Sequence, residues 1–272
     1  MISVTKNNLN YSDKKRMLRT IGNQARAFLS DRYRRIDNYD LVAEIFPVLE
    51  ELGYSNDDIQ SCHLSDTKMY LKVTNPRICA DVGVGDIVQS GFTITNSEVG
   101  CGRTTIEPWV FRLVCLNGLT VKDMKLSRTH LGRINQSDDS FGIYSDETMQ
   151  LEDRVYLGKI LDTIRAFSDR TKFDEIVNTM REAAHRPIVN PSSTVTLAAT
   201  KLGLGEEEKT GVFDRLIKDN DLTQWGLVNA ITRYSQDVDS YERANDLEAF
   251  GGEILAMDSL AWRNMDIALV EH

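Results

Sequence analysis

No stretch of this sequence approaches the roughly twenty consecutive apolar residues that a membrane-spanning helix needs, and its opening, MISVTKNNLNYSDKKRMLRT, lacks the apolar segment of a secretory leader. A cytoplasmic protein without a membrane partner is expected. Cysteine is scarce and scattered: Cys62, Cys79, Cys101 and Cys115 form no close pair. That spacing argues against a disulfide framework and against the paired ligands of a structural zinc site, and it suits reduced, mostly buried thiols. Cys62 and His63 are adjacent, and on a strand adjacent side chains point to opposite faces, so they do not share a metal. Histidine chemistry has few candidates inside the chain, namely His63, His130 and His185.

Motifs of catalysis are missing as well. There is no nucleophile elbow, no HExxH and no His-x-Glu with paired cysteines. The glycine turns VGVGD and VGCGR lack the Lys-Ser/Thr and the immediately following helix of a nucleotide-triphosphate loop. No catalytic residue, metal or cofactor is assigned, and a non-enzymatic role is expected. Internal repeats, low-complexity tracts and disordered linkers are absent too.

The 272 residues, 41% hydrophobic and 27% charged, suffice for one large domain or two modest ones. The net charge of −9 is unevenly spread. Residues 1–36 hold nine Lys/Arg against two Asp/Glu, and residues 100–135 hold six against two. Residues 37–99 and 136–272 are acidic, with eleven acids against three bases and twenty-six against fourteen. Two basic segments therefore stand in an acidic body, and an anionic partner has a landing surface if the fold brings them together.

Hydrophobic periodicity predicts an α+β fold. SDKKRMLRTIGNQARAFL places Met17, Leu18, Ile21, Ala25, Phe28 and Leu29 at helical spacing, which predicts an amphipathic helix over Ser12–Leu29. YDLVAEIFPVLEELG predicts a second, which Pro47 should kink or divide. Four antiparallel strands follow over about residues 59–116, in IQSCHL, KMYLKVT, IVQSGFTIT and RTTIEPWVFRLVC, with Pro108 favouring an edge position or a bulge. TNSEVGCGR then reads as a hairpin connection, with Asn96, Gly100 and Gly102 as its permissive backbone positions. From about residue 146 the chain reads as helical, with VNPSSTV as a connector. A core domain over 1–186 and a packed helical region over 187–272 are expected, with Trp225 in the core rather than stacked on a ligand.

The basic residues carry the functional expectation. Lys14, Lys15, Arg16 and Arg19 lie on one flank of the first predicted helix, Arg26 is added to them, and SDRYRRI interleaves Arg32, Arg34 and Arg35 with Tyr33. Arg103, Arg112, Lys122, Lys125, Arg128 and Arg133 extend the set. Arginine forks fit phosphates, and an aromatic beside them stacks on an unpaired base, the pairing that single-strand binding uses. Any one of these residues, taken alone, reads as solvated surface.

Three blocks, RAFLSDRYRRIDN, GFTITNSEVGCGRTTIEPWVFRLVCLNGLT and TQWGLVNAITRYSQDVDSYERANDLEAFGGEIL, resemble those of the phage- and plasmid-borne proteins grouped as domain of unknown function DUF932. The resemblance implies a gene carried by phages, prophages or plasmids among DNA-metabolism genes, and it implies no established activity. In layout the chain also resembles, more weakly, the phage recombinases that anneal single strands, a likeness that does not fix function. The leading expectation is an oligomeric protein of a bacterial host cell's cytoplasm that binds single-stranded DNA and assists annealing or recombination. The alternatives are a protein-binding regulator or anti-defence factor acting on a host protein, and an unrecognised hydrolase.

Overall fold

The computed structural model describes residues 16–21, 24–30, 36–102, 104–121 and 146–267. The helix predicted over Ser12–Leu29 is instead an antiparallel hairpin of β1 (Arg16–Ile21) and β2 (Gln24–Ser30). Its register pairs Met17 with Leu29 and Leu18 with Phe28, then shifts between Arg19 and Thr20. That irregularity breaks the two-residue period, so the apolar positions fall at spacings that mimic a helix.

Helix α1 (Asn38–Glu51) buries Leu41, Ile45, Val48 and Leu49 and runs through Pro47 undivided. Strands β3 (Ile59–Leu64), β4 (Met69–Gly83), β5 (Asp86–Asn96), β6 (Thr105–Arg112) and β7 (Asn117–Thr120) then form one antiparallel sheet in sequence order. The expected sheet gains β7, whose four residues, NGLT, look like a turn in sequence but are all buried. Pro108 is not on an edge strand: it stands in β6, between β5 and β7, just beyond the end of the short β7 ladder. There its carbonyl accepts from Val121 N at 3.0 Å.

The remaining described elements are helices: α2 (Asp146–Phe167), α3 (Arg170–Ala184), α4 (Pro191–Leu202), α5 (Glu206–Asp219), α6 (Gln224–Tyr234), α7 (Tyr241–Leu255) and α8 (Ser259–Ile267). The connector expected at VNPSSTV is the start of α4. Asn190 caps it by accepting from Ser193 N at 3.2 Å, and Pro191 sits in the first turn. The Thr196 and Thr200 hydroxyls bond back to the carbonyls four residues earlier, so these polar side chains are satisfied within their own helix. Among the described residues no helix is long and apolar enough to cross a membrane.

Two compact units divide the chain, both discontinuous in sequence. The first comprises Met1–Lys72, Ile94–Ile106 and Arg128–Ile164; the second comprises Val73–Thr93, Glu107–Ser127 and Arg165–His272. Strands β4, β5 and β6 each contribute residues to both. Residues on either side of 187 lie together in the second unit, whose core runs from Phe173 and Met180 through Ile188 to Leu247 and Trp262. Helix α6 is its centre: Gln224 through Thr232 are all buried, and α3, α5, α7 and β7 pack against it. A helix surrounded on every side has no solvated face to display as a polar stripe. Trp225 lies in this core as expected.

The cysteine expectation is corrected. Cys62, Cys79 and Cys101 are exposed and Cys115 is half-buried, because all four lie on solvent-facing strand positions or in turns.

Candidate functional site

The loop that joins β5 to β6 organises one end of the first unit. Asn96, the last residue of β5, is expected from its sequence context to supply turn backbone, yet its side chain is only 1% exposed. Its amide nitrogen donates to Ile36 O at 2.8 Å and to Asn38 Oδ1 at 2.8 Å, while its Oδ1 accepts from Thr104 Oγ1 at 2.5 Å. A primary amide suits this position because it donates twice and accepts on its other side. Glu98 extends the tie: its Oε1 accepts from Asn38 N at 2.7 Å, satisfying an amide at the start of α1 where Asp37 makes no side-chain cap.

Ser97 fastens the same loop to the β3–β4 turn. Its hydroxyl donates to Thr67 O at 2.7 Å and accepts from Cys101 N at 3.0 Å. Gly100 takes a φ of +79°, which a side chain would oppose. A Cβ at Gly102 would meet the Cε of Lys68 at 3.3 Å, so the lysine stem lies across that glycine. On the far side of the turn, Asp66 pairs with Arg26 of β2 at 2.9 Å. This pair is largely solvated and adds little stability by itself.

Two aromatics in this unit are unusually open. Tyr39, in the first turn of α1, is 81% exposed, and Phe28, on β2, is 65% exposed. Sequence reading missed both. For Tyr39 a signal existed: it stands off the Leu41/Ile45 stripe, directly after RRIDN. Phe28 was absorbed into the apolar face of a helix that does not form.

Among the basic candidates, Arg26 is placed with its side chain, and Arg16 and Arg19 are placed by their backbone in β1. Lys14, Lys15, Arg32, Tyr33, Arg34, Arg35, Arg103, Lys122, Lys125, Arg128 and Arg133 lie outside the described residues. The described residues next to them are informative. Ile36 directly follows SDRYRR, Thr104 directly follows Arg103, and both bond to the Asn96 side chain.

Arg112 is engaged elsewhere, in the second unit. Its Nε donates to Asp86 Oδ1 at 2.5 Å and its Nη1 to Cys115 Sγ at 3.3 Å. Its guanidinium also lies 6.0 Å from the Trp225 ring centroid. The Trp225 indole nitrogen donates to the other Asp86 oxygen at 2.8 Å. Asp86 thus holds a guanidinium and an indole at once, an arrangement that fastens α6 to the sheet. Among the described residues no three His, Cys, Asp or Glu side chains gather as metal ligands.

Two of the blocks that carry the resemblance meet in this unit. The Trp109 indole nitrogen donates to Glu248 Oε2 at 3.0 Å, and Asn117 Nδ2 donates to Thr232 Oγ1 at 2.5 Å. A Cβ on Gly118 would stand 2.0 Å from the Trp109 ring, and one on Gly252 would stand 2.0 Å from Thr120 O. Gly118 is where β7 closes upon β6, and Gly252 is where α7 closes upon β7.

No curated protein and no solved structure matches the chain. The family model of the domain of unknown function DUF932 matches residues 27–250, a span that takes in the middle block whole and nearly all of the other two, and the chain belongs to that family.

Proposed function

We propose that this protein binds single-stranded DNA through the first unit and assists annealing or recombination in phage or plasmid DNA metabolism, in the bacterial cytoplasm and without a covalent step of its own. The observation that carries the reading is the Asn96 tie. One buried amide bonds to Ile36, which follows SDRYRR, and to Thr104, which follows Arg103, the first cation of the second basic segment. The described neighbours of SDRYRR and of Arg103, remote in sequence, thereby meet at one point, which favours a shared cationic surface for these arginines. The exposed Tyr39 and Phe28 add flat apolar faces in the same unit. Cations for phosphates together with open aromatics for bases are the combination that unpaired strands require. Arg112, committed to Asp86, is left out of this surface.

Anisotropy of a fluorescent single-stranded oligonucleotide at about 50 and about 200 mM salt tests the reading. With about four phosphate contacts, log K changes by about 0.7 × 4 per decade of salt, so this fourfold increase weakens binding about fiftyfold. Replacing Arg32, Arg34 and Arg35 together with Ala reduces both the affinity and the salt slope, whereas Tyr39→Ala reduces affinity with the slope unchanged, because stacking releases no counterions. No binding at the lower salt would refute the reading; unchanged affinity in the triple variant would remove that segment from the site.

A further inference from the structure

At one end of the sheet in the second unit, two turns lie side by side. Leu113 N donates to Ile87 O at 2.9 Å, which sets the β6–β7 turn beside the start of β5. The outward side chains of that turn are apolar: Val114 is exposed, and Leu116 is 68% exposed. Leu116 also takes a φ of +53°, a left-handed conformation that glycine or asparagine would adopt with far less strain. The turn is held in this shape. Gln236 Nε2 donates to Cys115 O at 3.1 Å and to Leu116 O at 2.8 Å, and the following Asn117 is buried. A strained backbone that presents an apolar side chain to solvent has no packing reward inside the chain, and such outliers mark contact surfaces.

Gln236 also lines an adjoining open cleft of about 380 Å³ between the last turns of α5 and α6. Most of its charges cancel within the chain. Arg215 pairs with Asp237, and Arg233 with Asp219 at 3.1 Å. Asp214 and Lys218 do not pair with each other or with other described residues; they stand one turn apart on the exposed side of α5, flanking the exposed Ile217. An acid and a base at this spacing, both facing outward, complement their own copy when two such helices are apposed antiparallel.

We infer that a second copy of this chain docks here about a two-fold axis. Helix α5 lies antiparallel to its counterpart, so that Asp214 faces the partner's Lys218 and Lys218 the partner's Asp214, with Ile217, Val114 and Leu116 in the apolar centre. Charge decides the occupant. The chain as a whole carries −9 and repels its copy, but this face holds equal numbers of acids and bases and meets itself without net repulsion. The inference is independent of the nucleic-acid reading.

Sedimentation equilibrium of the full chain across about 1 to 100 µM, a range that reveals micromolar association, tests it. The wild type forms dimers, or even-numbered assemblies of them. Lys218→Asp and Asp214→Lys each put like charges face to face and weaken association on the order of tenfold, while the double exchange restores it. Leu116→Asn weakens association yet raises Tm, because asparagine tolerates the left-handed backbone; a circular-dichroism melt of each variant separates loss of contact from loss of fold. A monomer at every concentration would leave the face to a different protein and overturns the inference. An odd-numbered assembly, single exchanges without effect, or a double exchange that fails to restore association also overturns it.

Discussion

Replacing Asn96 by Ala tests the keystone of the first unit. The side chain is 1% exposed and makes three hydrogen bonds. At about 1 kcal/mol net for each, with the Ile36 carbonyl left short of its donor, the substitution costs about 3 kcal/mol. Asn96→Asp has nearly the same shape and keeps the bond from Thr104, but it loses both donors and turns a carboxylate toward Ile36 O and Asn38 Oδ1. That uncompensated buried charge makes it the worse of the two, at about 3 to 5 kcal/mol.

The assay must report on the correct unit. All three tryptophans, Trp109, Trp225 and Trp262, belong to the second unit, so indole fluorescence is a poor monitor of this change. Hydrogen exchange at the amides of Asn38 and Cys101, which donate to Glu98 and Ser97, reads the loop directly. A loss of about 3 kcal/mol appears there as about a hundredfold loss of protection. Protection within about threefold of wild type in Asn96→Ala, or a milder effect in Asn96→Asp than in Asn96→Ala, would refute the reasoning.

Gly252→Ala drives a methyl group into Thr120 O and destabilises the chain by about 3 kcal/mol or more in a denaturant titration followed by tryptophan fluorescence; a loss under about 1 kcal/mol contradicts the close approach of α7 and β7. Gly158→Ala, in open space within α2, stabilises by about 0.5 to 1 kcal/mol through helix propensity, and a decrease in Tm would count against that placement. The Glu208 carboxyl is held below its ordinary value of 4.5, first by the hydrogen bonds from Arg243, with burial opposing them. A folded value below the unfolded one contributes stability above the unfolded value, and this is lost as pH falls through the folded one. The stability gap between wild type and Glu208→Gln therefore stays level from pH 8 to about 5 and closes below the ordinary carboxylate value; a gap that persists unchanged at pH 3 would remove the ion pair as its cause.

Four strands of the main sheet were legible because β-branched runs alternate between clear turn residues, and α3 and α5 because their apolar stripes end at Pro187 and at Asn220, which takes a left-handed φ of +53°. The failures share a physical cause: local pattern competes with tertiary context. The β1–β2 hairpin was hidden by a register shift between Arg19 and Thr20, and α4 by Ser and Thr residues whose hydroxyls fold back onto their own helix. β7 was hidden by an Asn-Gly pair that is a turn signal in isolation but lies buried against α6 and α7. At the candidate site the basic residues were visible in the sequence. Asn96 was not: a residue whose partners lie 58 and 60 positions away looks the same, in one dimension, as an asparagine in a turn.

The family blocks themselves divide by burial. Trp109 and Glu248 are separated by 139 positions and bond within the core, and the glycines opposite them admit no side chain. Such contacts constrain one another in pairs: a larger residue at Gly118 displaces the Trp109 ring, and the indole nitrogen then loses its bond to the buried Glu248 carboxylate. A sequence signature written by these pairs is specific for architecture, and it is silent about ligands because neither partner reaches solvent. The first block is of another kind, since RAFLSDRYRRIDN carries the exposed Phe28 and leads through Ile36 into Asn96 and the exposed Tyr39. Surface residues without a packing constraint are free to differ between proteins that share the buried set. Substitutions at the buried pairs are therefore expected to change stability, and, on the proposed single-strand-binding reading, substitutions at the exposed Tyr39 and Phe28 to change binding with little change in stability. That division places the experiments on function in the first unit.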